Sequence, residues 1–167
     1  MESTLSRQAV VIRRLEASDI EAVIEIQTQC REASQWSRKE YELLAAASSV
    51  NSTTRCWVAE NDGRVAGFLA ARKLADELEI LNLAVVPASQ RQGIAGQLLR
   101  AAMKWAAAEK IAKIYLEVRA SNTAAKTFYQ SHGFHAIGKR PNYYGDPPED
   151  ALLLRTSLRE RDSFNIT

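Results

Sequence analysis

NLAVVPASQRQGIAGQLL, residues 82–99, is the stretch from which the rest of the chain can be ordered. Leu83, Ala84, Val85 and Val86 form an apolar run that Pro87 ends, because proline brings no backbone N–H to continue a ladder. From Ile94 onward, Leu98, Ala102, Trp105 and Ala106 recur at three- and four-residue spacing, the mark of a helix with one face on a core. The pattern predicts a strand, a loop and a helix. In the loop, Gln90-Arg91-Gln92-Gly93-Ile94-Ala95-Gly96, small residues stand where backbone can approach a ligand. Free N–H groups and the positive end of the helix dipole suit a pyrophosphate there, and Arg91 adds a charge-assisted contact. The same residues also read as turn chemistry and close packing. The spacing is neither the Walker pattern, since no Gly-Lys-Ser/Thr follows, nor GxGxxG.

At 167 residues, with 46% hydrophobic and 25% charged side chains, the chain is sized and composed for one globular domain. Residues 8–157 are expected to form that domain and residues 158–167 a solvated charged tail. A net charge of +2 implies no polyanion-binding surface, so nucleic acid is not an expected partner. No apolar run approaches the roughly twenty residues that span a bilayer, which predicts a cytoplasmic protein without membrane attachment. Cys30 and Cys56 fit no metal-ligand spacing and have only His132 and His135 for company. No metal is expected; the thiols read as free, and the histidines as surface or packing residues.

Residues 10–12 read as a first strand. Ser18 and Glu21 form a capping-box pattern before a helix with Ile20, Val23, Ile24 and Gln27 on one face. Ser37 and Glu40 form a second, before a helix with Tyr41 and Leu44 inward. Trp36, in the loop between, is either a core plug or a ligand contact. Residues 55–60 and 65–72 flank Asp62-Gly63, a type I′ hairpin turn, and Gly67 marks a bulge or a close approach. Residues 78–86 complete an antiparallel meander. A strand at 114–118, a helix capped by Ser121 or Asn122 and ending near Gly133, and strands at 134–138 and 151–154 follow. The expected fold is α/β, a mixed, mostly antiparallel central sheet of about seven strands flanked by helices.

Gln90, Gly93 and Ala95 match Q/R-x-x-G-x-G/A, and through that pattern the chain resembles the GCN5-related N-acetyltransferases, whose loop of this form holds the pyrophosphate of acyl-CoA. YLEVRASNTAAKTFYQSHGF, residues 115–134, carries L-E-V-R-A-S-N, then Phe128-Tyr129 and Gly133-Phe134. Asn142-Tyr143-Tyr144 and Glu149-Asp150-Ala151 follow in order. These segments resemble the RimI-like branch of the family, which acetylates the N-terminal alanine of small-subunit ribosomal protein eighteen. The resemblance implies the acyl-CoA N-acyltransferase fold, acetyl-CoA as co-substrate, and a protein N-terminus, that of the ribosomal protein first, as acceptor. It implies Glu117 as base and Tyr129 as acid. It also implies cofactor contacts from Leu83, Ala84, Val85, Gln90, Arg91, Gln92, Gly93, Ile94, Ala95, Gly96 and Asn122. Trp36, Tyr143 and Tyr144 would stand beside the acceptor. A monomer or weak dimer is the expected state.

On an alternating strand Glu117 shares a face with Tyr115 and Arg119, opposite Ile114, Leu116 and Val118. Set against apolar surface, its carboxyl is expected to be raised toward a useful value; the alternative is a solvated residue paired with Arg119. Tyr129 offers a phenol, ordinarily near about 10, to a thiolate whose acid lies near about 8.5, or is a core tyrosine beside Phe128. An α-amine, at about 7.7–8.0, is far more often neutral near pH 7.5 than lysine at about 10.4, which suits a weakly shifted glutamate. Asp76, Glu77, Glu79, Glu149 and Asp150 are expected to line the peptide groove and favour a basic residue behind the acetylated one. Two positions depart from the RimI-like pattern: Gln35 precedes Trp36 where a proline is usual, and Ala95 replaces the second loop glycine. The first bears on acceptor identity. Two other functions stay open, acetylation of a small amine and a CoA-binding regulatory module without turnover.

Overall fold

The computed structural model describes residues 9–47 and 52–158. In chain order it contains β1 (Val11–Arg14), α1 (Ile20–Gln29), α2 (Arg38–Ala46), β2 (Thr54–Asn61), β3 (Arg64–Leu74) and β4 (Glu77–Val85). Then come α3 (Ile94–Ala108), β5 (Lys113–Arg119), α4 (Thr123–Ser131), β6 (His135–Gly145) and β7 (Pro148–Ser157). The seven strands form one sheet in the order β1-β2-β3-β4-β5-β7-β6, antiparallel except between β4 and β5. This is the mixed sheet flanked by helices that the sequence predicts. The last two strands are longer than expected, because backbone pairing carries the polar residues 139–145 and 148–150 into a ladder that apolar alternation does not reveal. Of the expected tail at 158–167, Leu158 still belongs to the domain, donating its N–H to Ala112 O at 2.7 Å and packing against the core, and 159–167 lie outside the described residues.

Alternation along β2 and β3 divides the interior between two layers. Trp57 and Leu69 point to the side covered by α3, with Leu98, Leu99 and Trp105. Val58 and Phe68 point to the side covered by α1 and α2, with Val23, Ile26 and Tyr41. Asp62 and Gly63 adopt φ of +51° and +73°, the left-handed pair of the expected type I′ turn. Gly67 marks both a bulge and a close approach: Ala59 pairs with Gly67 and Glu60 with Val65, which leaves Ala66 as the extra residue beside it, and a Cβ on Gly67 would lie 2.9 Å from the Ala84 carbonyl oxygen.

Ser37 caps α2, and Glu40 returns the bond to the Ser37 amide at 2.6 Å, as expected. The start of α1 differs. The Glu16 N–H donates to Asp19 Oδ2 at 2.8 Å, and a short 3₁₀ turn over Ala17–Asp19 leads into the helix in place of a Ser18 cap. Asp19 is drawn inward, 5% exposed, by Arg13, whose Nη1 and Nη2 reach its two oxygens at 2.7 and 2.9 Å. The same guanidinium donates to Glu60 at 3.0 Å, tying β1, the entry to α1 and β2 together. A planar fork with five donors satisfies a buried carboxylate better than a serine hydroxyl can.

β4 carries one extra residue. Ala70 pairs with Asn82 and Ala71 with Ile80, so Leu81 is unpaired and the strand changes phase across it. Leu78 and Ile80 pack under α3, whereas Leu81 and Ala84 pack under α1 and α2. The parallel ladder to β5 holds only from Glu77–Lys113 to Glu79–Tyr115. Beyond it the two strands part in the middle of the sheet.

Gly67→Ala sets a methyl group against a ladder oxygen and should destabilise by about 1–3 kcal/mol, seen as a lower thermal midpoint. Gly138→Ala, where open space surrounds the new atom, serves as the control. Hydrogen bonds from Arg13 hold the Asp19 carboxyl below its ordinary range, against the opposing effect of burial. A carboxyl depressed in the folded state contributes stability that is present above its unfolded value of about 3.9 and lost as pH falls through the folded value. Urea unfolding at pH 3, 5 and 7 should therefore show stability falling below about pH 4. Asp19→Asn should flatten that dependence and lower stability at pH 7 by about 1–3 kcal/mol.

Candidate active site

The opening between β4 and β5 is edged by backbone. The Val86 N–H donates to Ala66 O at 2.8 Å, so by alternation Ala84 also faces β3, while Leu83 and Val85 turn their amides to the opening. Val85 O on that edge accepts from Gln90 Nε2 at 2.9 Å and from Cys30 Sγ at 3.3 Å. Gln90 therefore spends its side chain fastening the loop to β4, and Gln92 does the same to Ala88 O at 3.3 Å. Arg91 and Gly93 take φ of +60° and +83°, and Gly93 is the N-cap of α3. Among the described residues no side chain accepts from the first-turn amides, which leaves the N–H groups at Ile94, Ala95 and Gly96 for an anion. Ile94 itself is core, 1% exposed. Gly96 is small for another reason: a Cβ there would lie 3.3 Å from His132 Nε2, so its absence lets α4 approach α3. His132 packs as expected, 4.5 Å from the Phe128 ring with Nδ1 2.8 Å from Phe128 O.

Glu117 and Tyr129 reach this region from opposite faces of β5. Leu116, Val118 and Tyr129 share the α3 layer, and Glu117 lies on the other side. Tyr129 is 6% exposed between Phe128 and Phe134, with ring centroids 5.0 and 5.4 Å away, and burial pushes its phenol up. Glu117 does not take Arg119 as its partner. Arg140 Nε stands 2.8 Å from Oε1. Arg119 is taken elsewhere: its guanidinium lies 4.1 Å over the Tyr144 ring, 3.4 Å from Glu149 and 3.8 Å from Glu32. Tyr143 stands edge-on to Tyr144 at 5.1 Å, and interaction with the Glu117 carboxylate raises its phenol above the ordinary value. The β6–β7 ladder breaks between Arg140 and Tyr144, with Asn142 left-handed at φ +51°, which lets this segment bulge. Asn122, rather than Ser121, caps α4, accepting the Ala125 N–H at 3.0 Å.

The opposite wall, residues 30–36, is held by two buried amides that carried no assigned role in the sequence. Asn82 accepts the Ser34 N–H at 3.2 Å and donates to Ser34 O at 2.9 Å. Gln27 accepts the Trp36 N–H at 3.0 Å and the Tyr41 hydroxyl at 2.6 Å, and donates to Trp36 O at 2.7 Å. The signal was an amide at an inward-facing position, since a buried amide must find partners. Trp36 packs 5.6 Å from Tyr41, half-buried. Gln35, in place of the usual proline, donates to Gln27 O at 2.8 Å and Ala33 O at 3.0 Å and closes the loop itself.

The carboxylates expected along the groove are mostly engaged within the protein. Glu77 accepts from the Tyr115 hydroxyl at 3.0 Å, Glu79 pairs with Arg72 at 2.7 Å, and Asp150 with Lys139 at 2.9 Å. Glu149 accepts the Ser121 N–H at 2.6 Å besides facing Arg119. Four of the five carboxylates are thus matched within the protein, and Asp76 sits exposed in the β3–β4 turn. Of the thiols, Cys56 is buried and pushed up to about 12 by loss of solvent, and Cys30 is half-buried and raised by the same cause. Among the described residues no group of three or more His, Cys, Asp or Glu is arranged to hold a metal ion, and no helix is long and apolar enough to cross a membrane.

Comparison with known proteins bears on this arrangement directly. The model of the Acetyltransferase (GNAT) family matches residues 20–134, from α1 through α4. The chain belongs to the GNAT acetyltransferase family. It is 34% identical over 145 residues to the [ribosomal protein bS18]-alanine N-acetyltransferase of Escherichia coli K12, covering 86% of this chain and 94% of that one. The crystal structure of the ribosomal-protein-S18-alanine N-acetyltransferase from Escherichia coli aligns with a TM-score of 0.74 at 31% identity, over 89% of this chain and 94% of that chain. The PaiA N-acetyltransferase of Thermoplasma acidophilum, solved with coenzyme A, shares the fold with a TM-score of 0.78 at 20% identity, over 90% of this chain and 100% of that chain. As a GNAT enzyme the protein is an N-acetyltransferase, and acetyl-CoA is the family's donor. The uncapped start of α3 and the unpaired edge of β4 fit a pyrophosphate and an amide-bearing arm respectively.

Asn82→Ala strips Ser34 of both its partners and should lower stability by about 1–3 kcal/mol. If residues 30–36 line the acceptor, steady-state kinetics should show KM for the amine acceptor raised several-fold and KM for acetyl-CoA changed by less than about twofold.

Proposed function

We propose that the protein transfers the acetyl group of acetyl-CoA to the N-terminal α-amine of a protein, first the N-terminal alanine of ribosomal protein bS18, with Glu117 as base and Tyr129 as acid. The observation that carries this reading is a carboxylate of 15% exposure facing Tyr143 and Arg140 on the acceptor side, with a buried phenol on the other side of the same strand. The Escherichia coli relative named for that acceptor supports it. Such an acceptor makes the cytoplasm the place of action.

In this reading the amides of residues 93–96 hold the pyrophosphate with help from Arg91, and the Leu83 and Val85 backbone aligns the pantetheine arm in strand fashion. Gln90 and Gln92 act by shaping the loop, and Asn122 by starting α4. Glu117 takes a proton from the acceptor ammonium, directly or through a water, leaving a neutral amine. The nitrogen then bonds to the carbonyl carbon as the carbon–sulfur bond breaks. The second proton leaving nitrogen balances the one the sulfur takes up. The Tyr129 phenol, protonated at neutral pH and pushed further up by burial, gives its proton to the departing sulfur and is re-protonated by the second proton lost from nitrogen. Trp36, Tyr143 and Tyr144 form the walls against which the first acceptor residues lie.

Glu117→Gln and Tyr129→Phe should each lower kcat by roughly 10²–10⁴, while calorimetry finds CoA binding within about threefold of wild type. Thiol release is followed with a peptide beginning Ala-Arg, with a polyamine, and without acceptor. Undiminished turnover in both variants rejects the assigned roles, and preference for the polyamine rejects the acceptor.

A further inference from the structure

The acceptor side of the sheet is a field of matched charges whose partners differ in exposure, most widely at Glu117 and Arg140; Lys139 and Asp150, at 57% and 30%, differ less. Arg119 and Glu149 are similarly shielded, at 25% and 18% exposure, and Arg72 and Glu79 are similarly open, at 43% and 34%. Glu117 is shielded at 15% while its partner Arg140 is 60% exposed. A carboxylate so placed is costly to leave without a positive partner, whereas an exposed guanidinium loses little by returning to water. We propose that Arg140 is a specificity-determining residue for the acceptor: it stands on Glu117 where the acceptor's ammonium group must stand, and yields that place only to a cationic primary amine.

This inference rests on the proposed α-amine reading. Its geometry has three parts. β6 is the last strand of the sheet and nearly all of its residues are exposed, so Arg140 reaches Glu117 from the solvent side. The ladder is broken between Arg140 and Tyr144, which gives the segment room to shift. The Arg140 guanidinium already lies 5.6 Å from the Tyr143 centroid, a cation–π resting place for it once displaced. The other groups around Glu117 are Tyr143 and Tyr144 from β6, Tyr115 and Arg119 along β5, and Glu79 from β4 beyond Tyr143. Among the described residues Arg140 is the cation that pairs with Glu117. A neutral amine brings no charge to replace the guanidinium, so it leaves the pair closed. An ammonium replaces it charge for charge, and then gives Glu117 the proton that the reaction requires. The acceptor's apparent affinity is reduced by the fraction of enzyme in which Arg140 holds the place.

The test uses the full chain carrying Arg140→Met, Arg140→Gln or Arg140→Lys, with an α-amine peptide as acceptor and thermal midpoints to verify folding. Arg140→Met should lower KM for the peptide roughly two- to fivefold, with kcat and KM for acetyl-CoA within about twofold. Arg140→Gln should do the same, which guards against a fault peculiar to one variant, and Arg140→Lys should restore the wild-type KM. Placed in Glu117→Gln, Arg140→Met should leave peptide binding by calorimetry unchanged, because the two act on each other. A merely structural Arg140 would instead raise KM and lower kcat together. Unmoved or raised KM in both neutral variants overturns this inference alone. A wild-type enzyme inactive on every α-amine peptide overturns it together with the acceptor reading.

Discussion

The active site exists because β4 and β5 stay paired for only three residue pairs. A sheet interior ordinarily satisfies every backbone N–H and C=O, and strands that part at its centre leave such groups facing one another across a gap. The extra residue at Leu81 accompanies that separation: it moves β4 out of phase and turns Asn82 and Ala84 toward α1 and α2. The strand's last amides are then left for something that is not protein. The loop to α3 continues the same condition, since Gly93 caps the helix without covering its first amides. Pyrophosphate and pantetheine suit these groups because they supply the acceptors and donors that the sheet withholds.

Around the opening, two kinds of polar restraint do different work. Gln27 and Asn82 are buried amides that each hold one residue of the 30–36 loop at both its N–H and its carbonyl. Paired this way they fix a wall, as a fully satisfied buried network does. The charged groups on the other wall are arranged to exchange. Arg119 bridges Glu32, Tyr144 and Glu149, joining the α1–α2 loop to the β6–β7 hairpin, while Arg140 covers Glu117 from solvent. A rigid wall facing an electrostatically adjustable one suits an acceptor that is cationic at one end and variable beyond it.

Arg13 and Arg140 show how setting decides what one residue type does. Arg13 grips Asp19 at two points and Glu60 at a third, in the corner where β1, α1 and β2 meet, so its pairing is structural. Arg140, on an edge strand, makes one ion pair, with Glu117, and otherwise lies near the ring of Tyr143 on its own strand. Both carboxylates are shielded, yet one is immobilised and the other can be uncovered. The difference lies in how many elements hold the arginine.

The chain's local chemistry determined most of the architecture by itself. Alternation, capping pairs and turn residues act over a few positions, which is why the meander, the Asp62-Gly63 turn, the Ser37–Glu40 box and the strand-loop-helix at 82–99 are legible in the sequence. Glu117 and Tyr129 are proposed as a pair from motif resemblance, and their places on opposite sides of the sheet follow from the strand and helix they occupy. What only the tertiary structure decided are the contacts between segments distant in sequence. Asp19, held by Arg13, rather than Ser18 shapes the start of α1, Arg140 rather than Arg119 covers Glu117, the Gln90 side chain binds the Val85 carbonyl, and the rim carboxylates find internal partners. A side chain's charge and reach are written in its own residue, but its partner is chosen by whichever group the fold brings within about 3 Å, and that choice depends on the packing of the whole chain.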